Sequence, residues 1–564
     1  MGSTSGGASP NARIQNWIRI VSKKIVLADK YIILGFLIFA AFYQLSLWYY
    51  HSPHLLLGDS ANIAGIAAAR EYPQLFKGDE LLGDLDNVGF YKTVHFPFIQ
   101  LITRATKSYG LTFNLFVGIH VFVQMVGFYI LGRVFYRDQF WAVLLALLAL
   151  VYFKFGLGEF WGITNYVIPR FTFQTLLPYQ LAAAYYWRSS PRVWPWLMIS
   201  AGLLMYVHPV SAPAWGFAIW LGLWIFHPYE WSLLKRVSVM LCLGILFLAV
   251  TASFIVNFIS HHAPLMTPDY DRVYHIAEYR FIKGFFDIRQ SLADYLRQLT
   301  KQPIAVLVIL ACLIVPFGYI RTDRRRFLLV GIWIIGLLVV SGLIPWLEQT
   351  VAKVYRVMPP GVDLLRGLRY ILPLIMILAL WLLREIAEMT KRPVITGIVG
   401  IALFVYVSQS ADFFSRLYPI AGMVKGCCLG KFSGISDKEK RELNVLRAVR
   451  RLTPPGAAIL STKLGLQIRY FALRPIVYCR RDGDAFIYSD HAELVRWYER
   501  DREMKAAFGI KNGREKTEKL IAMGKKYGAD YLLVDYPLTR QQCVSLPADP
   551  VYRKHGYTLL QVTE

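Results

Sequence analysis

The stretch HLLLGDSANIAGIAAAREYPQLFKGDELLGDLDNVGF, residues 54–90, gathers Asp59, Asp79, Glu80, Asp84 and Asp86 in a chain whose formal net charge is +25. A carboxylate held at the start of a helix can act as general base toward a hydroxyl nucleophile. Two such groups can share a divalent cation, although the ligand spacing here is not diagnostic. The same residues have plainer uses. Asp59 or Ser60 can cap the helix ANIAGIAAAREY by accepting from its orphan amides, and the acids from residue 79 onward can form a solvated loop.

Basic residues supply the complementary chemistry. Arg170 lies in NYVIPRFTFQ at the end of an apolar run, where a charge is costly unless it snorkels to the interface or serves a site. Arg366 and Arg369, in LLRGLRYILPL, are three apart and share one helix face. Guanidinium groups in this setting suit a phosphate, which they can hold in a bidentate fork. His208, in YVHPVS, ends another apolar run; a lone histidine there serves a structural role as readily as a binding one. His261, His262, Asp269, Asp271 and His275 resemble a metal inventory. Adjacent histidines rarely face one point, however, and no HExxH pattern is present, so no metal ligands are assigned.

These residues must be positioned by membrane-spanning elements. The chain has 564 residues, 55% of them hydrophobic and 15% aromatic, with a mean hydropathy of +0.40. That composition belongs to polytopic membrane proteins rather than soluble enzymes. A span needs roughly 17–25 apolar residues, and about eleven segments approach this: 31–50, 112–132, 139–156, 166–187, 193–208, 211–226, 238–259, 304–320, 327–346, 367–384 and 393–409. The N-terminal segment and every second connection are basic: GRVFYRDQ, WRSSPR, LLKR, RTDRRR and REIAEMTKR. The positive-inside rule therefore puts the N-terminus in the cytoplasm and everything after residue 409 outside. Topology and membrane-surface contact account for much of the charge, and nucleic acid is a poor inference.

The chain accordingly divides into a cytoplasmic tail and interfacial segment (1–30), a transmembrane domain (31–409) and an exterior domain (410–564). The transmembrane domain carries exterior loops at 51–111, 260–303 and 347–366. In the last domain, strands in AAILST, IVYC and DYLLVDY alternate with helices and a closing hairpin, predicting a small, mostly parallel sheet. It has no GxGxxG fingerprint and no P-loop, so nothing supports nucleotide binding. Cys427, Cys428, Cys479 and Cys543 fall outside the bilayer, where a disulfide can form. The fold expected is an all-α polytopic membrane bundle with a small C-terminal α/β domain.

With Asp59 soon after the first span, the EYPQLFKGDELL segment behind it and an exterior soluble domain, the chain resembles the type-C membrane glycosyltransferase superfamily. The resemblance implies a GT-C-like bundle in the bacterial inner membrane. It also implies transfer of a sugar from a polyprenyl-phosphate-linked donor to a lipid, glycan or protein acceptor on the outer face. Asp59 would be the catalytic base or a metal-orienting acid, and Asp79 the second acid. Arg170, Arg366, Arg369 and His208 would bind substrate by position. No cofactor is certain, and a divalent cation remains open. The tail lacks a WWDYG-like motif, which argues against a protein-glycosylating oligosaccharyltransferase. Two rivals stand beside this reading: a non-catalytic membrane assembly or glycan-binding factor, and a transporter. The transporter lacks paired Gly/Pro-broken spans.

Overall fold

The computed structural model describes residues 27–155, 159–281, 287–301, 303–320, 324–411, 413–431 and 433–562. The basic N-terminal residues Arg13, Arg19, Lys23 and Lys24, and Arg321 of the RTDRRR connection, lie outside them.

Among the described residues, six helices are long and apolar enough to cross a membrane: Asp29–Tyr50, Tyr109–Tyr136, Leu233–His261, Arg325–Tyr355, Asp363–Thr390 and Pro393–Ser410. A seventh arises if Ile288–Leu299 and the helix after it, bent by 84° to one another, form one span. The eleven apolar segments are thus not eleven uninterrupted long helices, and local chemistry explains the difference. Pro209 and Pro213 interrupt HPVSAPAW, between the fifth and sixth apolar segments, leaving the short helices Trp194–Leu203 and Ala212–Leu223, each ending in a 3-10 turn; a proline removes a backbone donor and clashes with the preceding turn. Segment 139–156 is helical only over Gln139–Leu148, then folds into a hairpin of β1 (Phe153–Lys154) and β2 (Phe160–Trp161). Segment 166–187 becomes the helix Pro169–Tyr186, with Pro169 in its first turn and Pro178 inside it.

The bundle is organised around Asp363–Thr390. In its most apolar window 83% of residues are buried, against 22% for Leu233–His261. A helix apolar on every side must be enclosed, and this one supplies the central packing surface. The outer helices expose Leu34, Leu37, Phe42, Leu241, Ile245, Leu248, Val394 and Ile398. Such a continuous apolar exterior suits lipid rather than water.

The C-terminal domain opens with the helix Asp437–Leu452 and holds a four-stranded sheet, ordered β3 (Ile459–Ser461), β4 (Tyr531–Val534), β6 (Tyr557–Val562), β5 (Ala548–Lys554). Only β3 and β4 are parallel; β4–β6 and β6–β5 are antiparallel. The sheet is therefore mixed rather than mostly parallel, because the last two strands return through the tight turn at His555–Gly556. IVYC contributes a single bridge, Ile476 to Ile459, and no strand of its own. The cysteines do not pair: Cys427, Cys428, Cys479 and Cys543 are all free thiols. Cys543 is enclosed in the domain core, while Cys427 and Cys428 end an exposed helix turn.

Candidate functional site

Asp59 stands in the first turn of the helix Gly58–Glu71. The chain enters that helix through Gly58 at φ +57°, a left-handed conformation that glycine adopts without a side-chain clash. Neither Asp59 nor Ser60 caps it. The N-cap is Leu57, without a side-chain hydrogen bond, and the Ser60 hydroxyl donates to the Val167 carbonyl at 3.3 Å. Freed from capping, the Asp59 carboxylate accepts from Arg170 on one oxygen and from Arg481 on the other.

A second carboxylate completes the arrangement. Glu159, at the entry to β2, has a side chain only 1% exposed. It accepts from Arg170 at 2.6 Å and from Arg369, and Arg366 lies 3.4 Å from it. Arg366 and Arg369 belong to the 3-10 segment Val362–Tyr370. In that geometry residues three apart eclipse one another, so both arginines reach the same carboxylate. Arg366 also pairs with Asp363 at 3.2 Å.

The network extends inward. Arg369 donates to the Tyr370 hydroxyl at 2.9 Å, as does the Ser211 hydroxyl at 3.1 Å. Ser211 lies 2.8 Å from Nδ1 of His208. A continuous polar chain thus runs from His208 through Ser211, Tyr370, Arg369, Glu159, Arg170 and Asp59 to Arg481. Its exposed end is Asp59 and Arg481, with side chains 32% and 38% accessible.

Beside that end, Arg280 pairs with Asp484 at 2.5 Å. Burial raises the Asp484 pKa to about 6 against the pull of Arg280 and Arg481. Asp59 behaves in the opposite sense. Burial pushes its carboxyl up, but Arg170, Arg481 and Arg366 outweigh burial and hold it below the usual carboxylate range.

Of the residues singled out in the sequence, Asp59, Arg170, His208, Arg366 and Arg369 come together. Asp79 does not. Its side chain is fully enclosed, in the loop that follows the helix Gly58–Glu71, and accepts from Nε and Nη2 of Arg469 at 2.8 and 2.6 Å. The backbone amides of Leu81, Leu82 and Ile476 also donate to it, at 3.1, 2.8 and 2.9 Å. Arg469 grips Asp482 on its other face, with both contacts at 2.7 Å. Asp79 therefore clamps the loop to the C-terminal domain, and an oxygen so fully engaged has no reach toward a substrate. Glu80 meets Arg500 at 2.9 Å, Asp84 caps a 3-10 turn, and Asp86 is largely in solvent.

Glu159, Arg481, Asp363 and Asp484 were missed by sequence reasoning. Glu159 offered a signal: it is an acid within the apolar run FKFGLGEFWG. Arg481 and Asp484, in CRRDGD, offered none. Among the described residues no three His, Cys, Asp or Glu side chains converge as metal ligands. The carboxylates around Asp59 are already matched to guanidinium groups, so this donor set does not suit a divalent cation.

No protein-family profile matches the chain, and no curated protein matches it in sequence. In overall chain path it is similar to the crystal structure of ArnT from Cupriavidus metallidurans bound to undecaprenyl phosphate, at 13% identity and a TM-score of 0.45, over 95% of this chain and 98% of that one.

Proposed function

We propose that the chain is a type-C membrane glycosyltransferase that moves a sugar from a polyprenyl-phosphate donor to an acceptor hydroxyl. The reaction would occur on the membrane face that carries the C-terminal domain, taken as the periplasmic or extracellular one. The observation that carries this reading is the cluster in which Asp59 and Arg481 form the accessible end of an arginine-rich network. Its convergence weighs against a purely non-catalytic assembly factor, which needs no such cluster.

In the proposed step the acceptor oxygen forms a bond to the anomeric carbon while the bond from that carbon to the donor phosphate breaks. The acceptor proton passes to Asp59, and the electron pair leaves with the polyprenyl phosphate. A doubly paired Asp59 is a weak base. Donor phosphate drawing Arg481 or Arg170 toward itself would relieve that pairing, raise the basicity of Asp59 and stabilise the leaving group with the same guanidinium. Glu159 would hold Arg170, Arg366 and Arg369 in place.

Purified Asp59→Asn, given a polyprenyl-phosphate sugar donor, is expected to lose about 100-fold or more in turnover, the range for a positioned proton acceptor, with its thermal unfolding near wild type. Transfer at the wild-type rate would exclude Asp59 as the base. Arg481→Ala is expected to weaken donor engagement by about 1.5–3 kcal/mol, the value of a charge-assisted contact.

A further inference from the structure

At the far end of the helix Gly58–Glu71, about 18 Å from Asp59 at 1.5 Å per residue, the loop region and the C-terminal domain enclose a cleft of about 570 Å³. Five cationic side chains line it: Arg104, Lys107, Arg447, Arg450 and Arg451. Glu71 is the acid among its lining residues. That acid is already engaged, by the Tyr109 hydroxyl and by Arg104 at 3.6 Å. Lys107, Arg447, Arg450 and Arg451 have no carboxylate partner among the described residues.

Arg447, Arg450 and Arg451 stand three and four apart on Asp437–Leu452 and face the same way, a spacing at which like charges repel. Lys107 comes from a different element. It occupies a left-handed position, φ +55°, at the C-cap of His95–Thr106, a conformation that favours glycine. His54 lies just beyond the helix ending at Tyr50, and Tyr109 and Gly110 open the helix Tyr109–Tyr136. The cleft is thus level with the ends of two long apolar helices, and the start of the second adds the positive end of a helix dipole. The adjoining Tyr72, Tyr109 and Phe471 provide ring surface larger than a bare phosphate needs.

We propose that this cleft is a second anion site, which binds the phosphate of a phosphorylated head group carried either by a membrane lipid or by a soluble phosphosugar. It converges four unpaired cations where bilayer phosphates lie, and it is independent of the reaction Asp59 serves.

The full chain in phosphatidylcholine nanodiscs, with and without phosphatidic acid, tests the lipid source, and titration with glucose 6-phosphate tests the soluble one. Arg447→Ala combined with Arg451→Ala is expected to lower affinity about 100-fold or more, as loss of two charge-assisted contacts requires. Lys107→Gly is expected to weaken binding while leaving thermal stability unchanged or higher, which separates a binding role from a structural one. Arg553→Ala with Lys554→Ala, removing the same charge from an exposed strand, is the control. Binding of phosphatidic acid alone assigns a lipid, and binding of glucose 6-phosphate alone assigns a soluble ligand. Binding of both assigns phosphate recognition without regard to carrier. Absence of binding by either probe, or equal losses in the cleft and control variants, overturns the proposal.

Discussion

Glu159 accepts from two arginines and lies beside a third, with a side chain that solvent scarcely reaches. Removing one partner of a buried ion pair leaves an uncompensated charge, at a cost of about 3–5 kcal/mol. Glu159→Gln is therefore expected to lower the midpoint of thermal unfolding substantially, whereas Asp59→Asn, at the exposed end of the network, is not. Equal midpoints for the two variants in a melting assay would refute this division. Asp484 supports a prediction about pH. Its folded pKa, about 6, lies above the ordinary aspartate value of 3.8. The folded state thus binds the proton more tightly, so this group's stabilisation is full below about pH 4 and is lost as pH rises through about 6. Asp484→Asn should flatten the pH dependence of stability across that window. An unchanged slope in unfolding midpoint between those pH values would count against it.

Elements decide which residues can meet. The helix Gly58–Glu71 carries Asp59 at one end and the cationic cleft at the other, and Gly65 between them allows close approach. A Cβ at Gly65 would lie 3.2 Å from Cβ of Arg469, so the glycine lets the segment bearing Arg469 settle on the helix. That segment brings the bidentate clamp of Arg469 on Asp79 and Asp482. Arg469→Met keeps length but strands two buried carboxylates. It is expected to cost about 3–5 kcal/mol and to loosen the C-terminal domain from the loop, read as faster proteolysis of that domain with the long helices intact. Unaltered protection would show that other contacts hold the interface.

At the scale of the whole molecule, the cluster is assembled from the bundle and the C-terminal domain together: Arg481 reaches Asp59 from the domain, while Arg170 reaches it from the helix Pro169–Tyr186. Both sides must therefore lie on one membrane face. From the alternation of basic connections we propose that this face is the outer one and that the N-terminus is inside. An alkaline phosphatase fused after Glu564 is expected to be active, and a fluorescent protein at the N-terminus to fluoresce in the cytoplasm. A C-terminal reporter active only in the cytoplasm would reverse the assignment.

The sequence alone determined that the chain is a multi-pass helical membrane protein with a C-terminal α/β domain. Apolar run length and strand–helix alternation are local properties, written in consecutive residues. It also singled out Asp59, as an acid at a helix start soon after the first span, His208 at the end of an apolar run, and Arg170, Arg366 and Arg369, because charge at the edge of an apolar run is costly and therefore conspicuous. Neither the break of apolar segments into short helices nor the antiparallel return of β5 and β6 was equally legible, since prolines, turns and partner strands compete with local pattern. The pairings were decided by tertiary structure. Arg170 meets Asp59 across 111 residues, Arg369 meets Glu159 across 210, and Arg481 meets Asp59 across 422. Asp79 and Asp59 look alike in the loop, yet one is sealed against Arg469 and the other stays accessible, because a carboxylate's role depends on which guanidinium packing delivers to it.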